Sequence, residues 1–431
     1  MPYRTRDTEF RVHLIALRVL SPALLAQCQA LRQEAGRLWT DLVERHAQAR
    51  LAGQWLSSQD LEQATKGGQY ALGSQTVQAL CQKLTANVAT ATELRRQEYA
   101  DTGRIETEYL HHGKSYQTVI WKDQGVVWDR PGHIGLKNGL GRPYLYLPVP
   151  AKYGGANVRK AELLWRADHY ELALTFDTGQ AVPPPRETGE VAGIDLGEVH
   201  VAAITTSRRH ALVLSGRLLR SFKQWRNKSH ARISEKLDRC QKGSRRSKRL
   251  VEAKAKVSAK GYRQQRDFLH KAAKLTVDFC AAEGVRRIVV GDVRDIQTGV
   301  SLGKVSNQKI SQWPHGQFTR YVTEKAARRG IAVDWIDEAY STKTCSHSGH
   351  VRKTSPRGRR FRCSGCGARI HRDVNGANNI CSKGVHGVYA KVQADTVKYL
   401  RPIGVAPPTR AKSLARARTS AFKRGSVRTI H

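Results

Sequence analysis

Eight residues, GIDLGEVH from Gly193 to His200, follow Val191 and Ala192 and set an acid, Asp195, at the end of a short apolar run. A run of that texture is where a buried strand presents a carboxylate. Far downstream comes a split cysteine cluster, Cys345, Cys363 and Cys366, followed at once by HRDVNGANNI and a second well-placed acid, Asp373. One chain thus offers two candidate metal sites of opposite character, one built on carboxylate oxygen and one on thiolate sulfur.

Lys and Arg number 74 against 36 Asp and Glu in 431 residues, a formal charge of +38. So large an excess implies a polyanionic partner, and nucleic acid is the default reading. The length exceeds what one core usually organises, so two or more domains are expected, and a 40% apolar fraction suffices for folded cores. The opening MPYRTRDTEFRVHLI lacks the apolar stretch of a secretory signal, and no later run is long enough to span a bilayer. The expectation is a soluble, cytoplasmic protein that binds no membrane and meets the nucleoid through DNA. With no secretory signal, the eight cysteines argue against a disulfide framework. Cys28, Cys81, Cys240, Cys280 and Cys381 are scattered and read as small buried or half-buried hydrophobes.

FRVHLIALRV near the N-terminus has strand character, whereas Ser21 to about Ala100 is rich in Ala, Leu, Gln and Glu and reads as a helical insertion, with Ser21-Pro22 as its start. From Tyr109 to Phe176 short alternating runs separated by turn residues predict a small β-barrel or sheet. GQAVPPPRETGE, Gly179 to Glu190, is a proline-rich linker. Beyond it the order is a strand over 191–205, a strand over 211–215, a long basic helical stretch over 217–283, a strand over 286–293, a helix over 309–329 and a strand over 331–339. This alternation predicts an α/β sheet with carboxylates at strand ends. Between Arg217 and Lys274 stand 20 Lys and Arg against 4 acids, too few opposite charges for i,i+4 pairing. Lys223, Arg226, Lys228, Arg245, Arg246, Lys248 and Arg249 are therefore candidate phosphate-backbone contacts. From Arg401 onward eight Lys and Arg stand without an acid, which reads as a disordered basic arm.

Cys363-Ser-Gly-Cys366-Gly has zinc-knuckle spacing, two thiolates around a tight turn. The upstream half, TCSHSGH, keeps Cys345 but carries Ser348 three positions on, where a second thiolate belongs. His350 is the better guess for a fourth ligand of one structural Zn²⁺, on a ribbon whose tip is RKTSPRGRR; His347 is the alternative, and a site without zinc the other outcome. The second site needs hard oxygen ligands for Mg²⁺. Two-metal phosphodiester cleavage requires acids from separate elements to converge, and Asp195 and Asp373 are natural members. Asp373 immediately precedes a helix, whose first turn tolerates an acid. A third acid must come from between them.

GIDLG, a strand ending in an acid about a hundred residues on, and TKTCS, FRCSGCG and HRDVNGANNI in that order resemble the RuvC nuclease and inserted zinc ribbon of TnpB proteins, transposon-encoded RNA-guided DNA endonucleases related to type V CRISPR effectors. The resemblance covers about residues 191 to 382 by motif, and the N-terminal order is similar to that family's wedge and recognition lobe. It implies an RNase H-like (RuvC) α/β nuclease domain at 191–339 and 372–385 with a zinc ribbon inserted at 340–371. It further implies a wedge β-barrel at 1–20 and 109–180, a helical recognition domain at 21–108, a linker at 181–190 and a basic tail at 386–431. It also implies a guide RNA from the transposon end, a double-stranded DNA target read beside a short adjacent motif, and two catalytic Mg²⁺ ions; a monomer is favoured.

One departure matters. Where the family ends its middle strand in glutamate, this chain has Ile288-Val289-Val290-Gly291-Asp292. Asp292 is adjacent, but on a strand it points to the opposite face from position 291. Glu338, on IAVDWIDEA, is the better substitute, a relocation that resembles a known subgroup of TnpB and Fanzor proteins. Two functions remain from different classes: an RNA-guided endonuclease using Asp195, Glu338 and Asp373, or a nuclease-dead RNA-guided binder acting as repressor or transposition accessory. A DNA-strand transferase ranks below both. His270, Trp313 and His315 are also similar to family positions, with packing as the bland reading.

Overall fold

A computed structural model of the chain describes residues 8–293, 303–354, 356 and 358–402. The chain divides into two compact units, Met1–Ala181 and Val182–His431. No helix among the described residues is long and apolar enough to cross a membrane.

In the first unit β1 (Thr8–Leu17) leads into α1 (Pro22–Leu51), α2 (Ser58–Ala64) and α3 (Ser74–Thr102). Ser21 accepts from the Leu24 N–H, and Pro22 sits in the first turn, where its missing N–H costs nothing. Ser57 and Asp60 form a reciprocal capping box on α2, and α3 ends at Gly103 in the left-handed conformation. Then come β2 (Val119–Lys122), β3 (Val126–Val127), β4 (His133–Leu136), β5 (Leu145–Pro148), β6 (Val158–Trp165) and β7 (Tyr170–Ala181). The expected barrel is instead two open antiparallel sheets, β1-β7-β6-β2 and β3-β4-β5. A single 3-10 turn at Asp123–Gly125 carries the chain out of the first sheet, and β3, two residues long, is too short to join them. Helices and sheets share one apolar core that includes Trp39, Leu42, Leu80, Trp121 and Leu172.

In the second unit β8 (Glu190–Leu196), β9 (His200–Thr206) and β10 (His210–Ser215) form an antiparallel meander, so the single strand expected over 191–205 is two strands joined by a tight turn at Gly197. There follow α4 (Arg217–Asp238), α5 (Arg245–Ala282), β11 (Val285–Gly291), α6 (Lys304–Ser311), α7 (His315–Ala327) and β12 (Ala332–Ile336). A small ribbon of β13 (Arg360–Arg362) and β14 (Arg369–His371), then α8 (Arg372–His386) and β15 (Thr396–Leu400), complete it. The six-stranded sheet runs β12-β11-β8-β9-β10-β15, with β12, β11 and β8 parallel. β15 corrects the expectation of a basic tail from 386: it pairs in parallel with β10, and Val397 and Tyr399 pack with Ala203, Val213 and Val374. The arm expected beyond Arg401 lies, from residue 403, outside the described residues.

Strand β8 is buried on both faces, which is why it reads as a continuous apolar run. Ala192, Ile194 and Leu196 pack with Phe268, Leu269 and Ala273 of α5, while the alternate positions face α8. Gly193 permits that approach, since a Cβ there would run into the Cys381 backbone.

Candidate active site and metal centres

Alternation along β8 turns Asp195 toward α8, where its Oδ2 lies 2.6 Å from the place a side chain on Gly376 would occupy. Helix and carboxylate meet because both Gly193 and Gly376 lack side chains. Burial, then the charges of Asp373 and Glu338, push Asp195 well above the usual carboxylate range. Asp373 and Glu338, distant in sequence, thus both act electrostatically on Asp195.

Glu338 is not on a strand. β12 ends at Ile336, opposite Gly291 of β11, and Glu338 lies in the turn beyond. From there its carboxylate folds back over Gly291: a Cβ at 291 would stand closer than 3.0 Å to Glu338 Oε2 and 3.2 Å from its Cβ. Oε2 is buried without a hydrogen-bond partner. Burial, then Asp292 and Asp337, push Glu338 up to about 7. Asp292, just past β11, donates its N–H to the Ile336 carbonyl at 2.9 Å and lines a cavity of about 170 Å³ with Leu196, His315, Thr319 and Trp335.

Asp373 stands in the first turn of α8 and is buried. His200 Nδ1 donates to its Oδ2 at 2.7 Å, and Arg359 Nη1 donates to Oδ2 and Oδ1 at 3.0 and 3.2 Å. Burial pushes Asp373 up, but the His200 bond and the Arg359 charge outweigh it and leave it below its ordinary value. His371 lies beside this group, its pKa lowered by burial and its Nδ1 buried without a partner. One ligand atom from each of His200, His371 and Asp373 lies within 4.8 Å of the others.

None of these three partners was singled out from the sequence, nor were the asparagines of NGANN. Asn375 and Asn379 donate to the Thr344 carbonyl at 2.8 and 2.7 Å, and Asn375 Oδ1 accepts from the Ser346 N–H at 2.9 Å. They fasten the base of the ribbon to α8, beside Asp373. Three asparagines inside one helix, where they are poor formers, were the signal.

Cys345, Cys363 and Cys366 offer sulfurs within 4.8 Å of one another, with Cys345 and Cys366 at 3.8 Å. Zn–S bonds at tetrahedral angles separate sulfurs by about 3.8 Å, so the donor set fits zinc. The Ser348 hydroxyl, 3.6 Å from Cys363 Sγ, stands at the fourth side of this group. Burial works against the Cys363 thiolate, yet Ser348 and the N–H groups of Cys366 and Gly365 hold it down to about 6. His350, the expected fourth ligand, is not grouped with the three sulfurs: its Nε2 pairs with Ser364 Oγ at 2.9 Å and its ring lies against Gly365. His347 is exposed and also outside the thiolate group.

Helices α4 and α5 pack as a hairpin whose basic residues differ in availability. Arg245, Arg246, Lys248 and Arg249 are exposed in the first turns of α5, and Lys228 is exposed on α4. Arg226 is instead tied to Gln312 Oε1 at 2.9 Å, and Lys223 is held down to about 8 by burial, against the pull of Glu198. Trp225, partly exposed, carries Lys260 Nζ 4.7 Å from its ring centroid. Trp313 is core, and His270 stacks on Tyr321 at 3.8 Å.

The family model described as "Probable transposase" matches residues 170–297, the stretch that holds Asp195 and Gly291. That of the Cas12f1-like TNB domain matches residues 315–380, which hold Glu338, the three cysteines and Asp373. The CRISPR-associated endodeoxyribonuclease Cas12f1 of Sulfoacidibacillus thermotolerans is 25% identical over 123 residues, 28% of this chain and 28% of that one. A TnpB-like protein of Aquifex aeolicus is 28% identical over 120 residues, 26% of this chain and 39% of that one. The chain thus spans 28 to 39% of the length of these curated relatives. A solved Cas12f1–sgRNA–target DNA complex aligns over 84% of this chain and 83% of that one, with a TM-score of 0.53 and 14% identity, a likeness of fold.

Proposed function

We propose that this chain, similar to TnpB and Cas12f1 proteins, is an RNA-guided DNA endonuclease in which Asp195, Glu338 and Asp373 hold two Mg²⁺ ions. The observation that carries the proposal is the Glu338 carboxylate, folded into the space Gly291 leaves empty, with Oε2 buried and unpartnered. A buried carboxylate oxygen without a donor costs roughly 1 to 3 kcal/mol, more when charged, unless a cation satisfies it. The donor set is oxygen and suits a hard divalent ion. When bound, a pair of such ions would supply water activation at one end of the scissile bond and charge neutralisation at the other.

The residues then have separate tasks. Asp195, fixed between Gly193 and Gly376, anchors the site from a rigid central strand. Glu338 reaches it from the β12 turn. Asp373 is held in one orientation by His200, so its second oxygen keeps a defined direction. Exposed Arg245, Arg246, Lys248 and Arg249 bind the phosphate backbone of the guide RNA, and base pairing between guide and target supplies sequence choice. The three-cysteine ribbon holds one structural Zn²⁺ and has no task in bond breaking.

The test is cleavage of a plasmid carrying a matched target by the purified protein–RNA complex with Mg²⁺. Asp195→Ala and Glu338→Gln should abolish cutting while RNA binding stays within twofold. Normal cutting by Glu338→Gln together with loss in Asp292→Asn would move the third ligand to Asp292. Tight target binding by the wild type with no cutting would leave the nuclease-dead binder.

A further inference from the structure

We infer that His200 and His371 join Asp373 in a two-imidazole, one-carboxylate site for a divalent first-row transition ion, so that the cation on the Asp373 side of the cluster is held by nitrogen as well as oxygen. The inference rests on Asp373 facing a metal, as proposed above.

The three side chains come from three elements that the fold has to bring together. His200 opens β9 directly after the turn that follows Asp195, His371 ends β14, and Asp373 follows in the first turn of α8. One ligand atom from each lies within 4.8 Å of the other two. Ligands at about 2.1 Å from an ion stand about 3 Å apart when adjacent and about 4.2 Å when opposite, a spread comparable to the 4.8 Å limit within which these atoms lie. His200 Nδ1 and Asp373 Oδ2 are hydrogen-bonded at 2.7 Å, so an ion entering between them displaces the shared proton and opens the pair slightly.

His371 Nδ1 is buried and has no hydrogen-bond partner. Burying an imidazole nitrogen without a partner is unfavourable, and a lone pair given to a metal removes that cost. The ring is also held in place. It meets His200 at 5.1 Å between centroids with a 60° interplanar angle, and Tyr399 of β15 edge-on at 5.9 Å and 72°. β15, with no local sign in the sequence of being structured, thereby braces the ring. Nitrogen donors favour first-row transition ions over Mg²⁺, which prefers oxygen and keeps its waters. The charged groups facing the site are Asp195, which favours a cation, and Arg359, which opposes one and must leave the Asp373 oxygens. Its side chain is 43% exposed and can turn outward.

The test uses the full-length, zinc-loaded chain and Mn²⁺ alone, read by pulsed electron paramagnetic resonance for nitrogen directly bound to manganese. The wild type should show strong ¹⁴N modulation, removed in the His200→Ala/His371→Ala double variant, with Mn²⁺ affinity about tenfold weaker for His371→Ala. Glu338→Gln should keep the nitrogen signal, because Glu338 lies outside this set. Mn²⁺ binding that depends on Asp195 but shows no nitrogen coupling in the wild type would overturn the inference and leave the acid site standing. No Mn²⁺ binding at millimolar concentration would overturn both. The wild-type spectrum decides without relying on any variant to fold.

Discussion

Gly291 and Glu338 share one volume: the Cβ that position 291 lacks would stand closer than 3.0 Å to the Glu338 carboxylate and 2.9 Å from Ile380 Cδ1. Gly291→Ala is therefore expected to push Glu338 aside at an overpacking cost of about 1 to 3 kcal/mol and to lower single-turnover cleavage at least tenfold. Gly291→Glu alone should do the same or worse. The double variant Gly291→Glu/Glu338→Ala should recover cutting above either single change, since it returns a carboxylate to the end of β11 and clears its space. Recovery below the Gly291→Glu level would mean that the two positions do not exchange one ligand.

Titration of Glu338 gives a pH dependence whose sign follows from its raised pKa. The ordinary value is 4.5 and the folded value about 7. The folded protein therefore holds this proton more tightly than the unfolded chain, so the group's stabilising contribution is full below about 4.5 and lost as pH rises through 7. Without divalent cation, Glu338→Gln should melt with the wild type at pH 5 and above it at pH 8. Added Mg²⁺ should raise the wild-type melting temperature at pH 8 and much less at pH 5.5. A difference between the two proteins that stays flat across this range would place the carboxyl in ordinary solvent.

What could be read from the residues followed the strength of local pattern. The doubly buried β8 announced Asp195 by an unbroken apolar run, and the α4–α5 hairpin announced itself by charge without compensation. β15 had no such signal: a five-residue edge strand is specified by its parallel partner β10, more than 180 positions away, rather than by its own composition. At the cysteine ribbon, spacing identified three sulfurs but not their neighbours: Ser348 Oγ lies 3.6 Å from Cys363 Sγ, while His350 Nε2 pairs with Ser364. Arg359 belongs to a run of basic residues, and only the fold separates the one on Asp373 from its neighbours.

Ser348 holds the sequence position where a fourth thiolate belongs, and its Oγ is 3.6 Å from Cys363 Sγ. Ser348→Cys should therefore hold zinc at least tenfold more tightly against a chelator, and His350→Ala should leave zinc content at wild-type level because the ring pairs with Ser364. Elemental analysis with a chelator titration measures both. Zinc lost from His350→Ala would restore the histidine as ligand.

Arg245, Arg246, Lys248 and Arg249 are exposed on the basic hairpin, whereas Arg226 is committed to Gln312. Replacing all four with alanine should weaken RNA binding and flatten the dependence of log affinity on log salt by roughly 3 to 4, close to one per lost phosphate contact. Arg226→Ala should change that slope by less than one. Binding titrations from 50 to 300 mM salt separate the two outcomes.

Arg359 Nη1 bonds both oxygens of Asp373, the oxygens a cation needs. An arginine in that position competes with metal, and because its side chain is 43% exposed the ion pair is worth only about 0.2 to 1 kcal/mol. Removing it in Arg359→Gln should lower the Mg²⁺ concentration for half-maximal cleavage by up to about fivefold, with the rate at saturating Mg²⁺ unchanged or higher. Direct Mg²⁺ binding by calorimetry should shift by the same factor, which a general loss of structure could not produce. The alternative assignment of Arg359, to a phosphate of the bound DNA strand, has the opposite signature: a lower rate at every Mg²⁺ concentration and an unchanged half-saturation point.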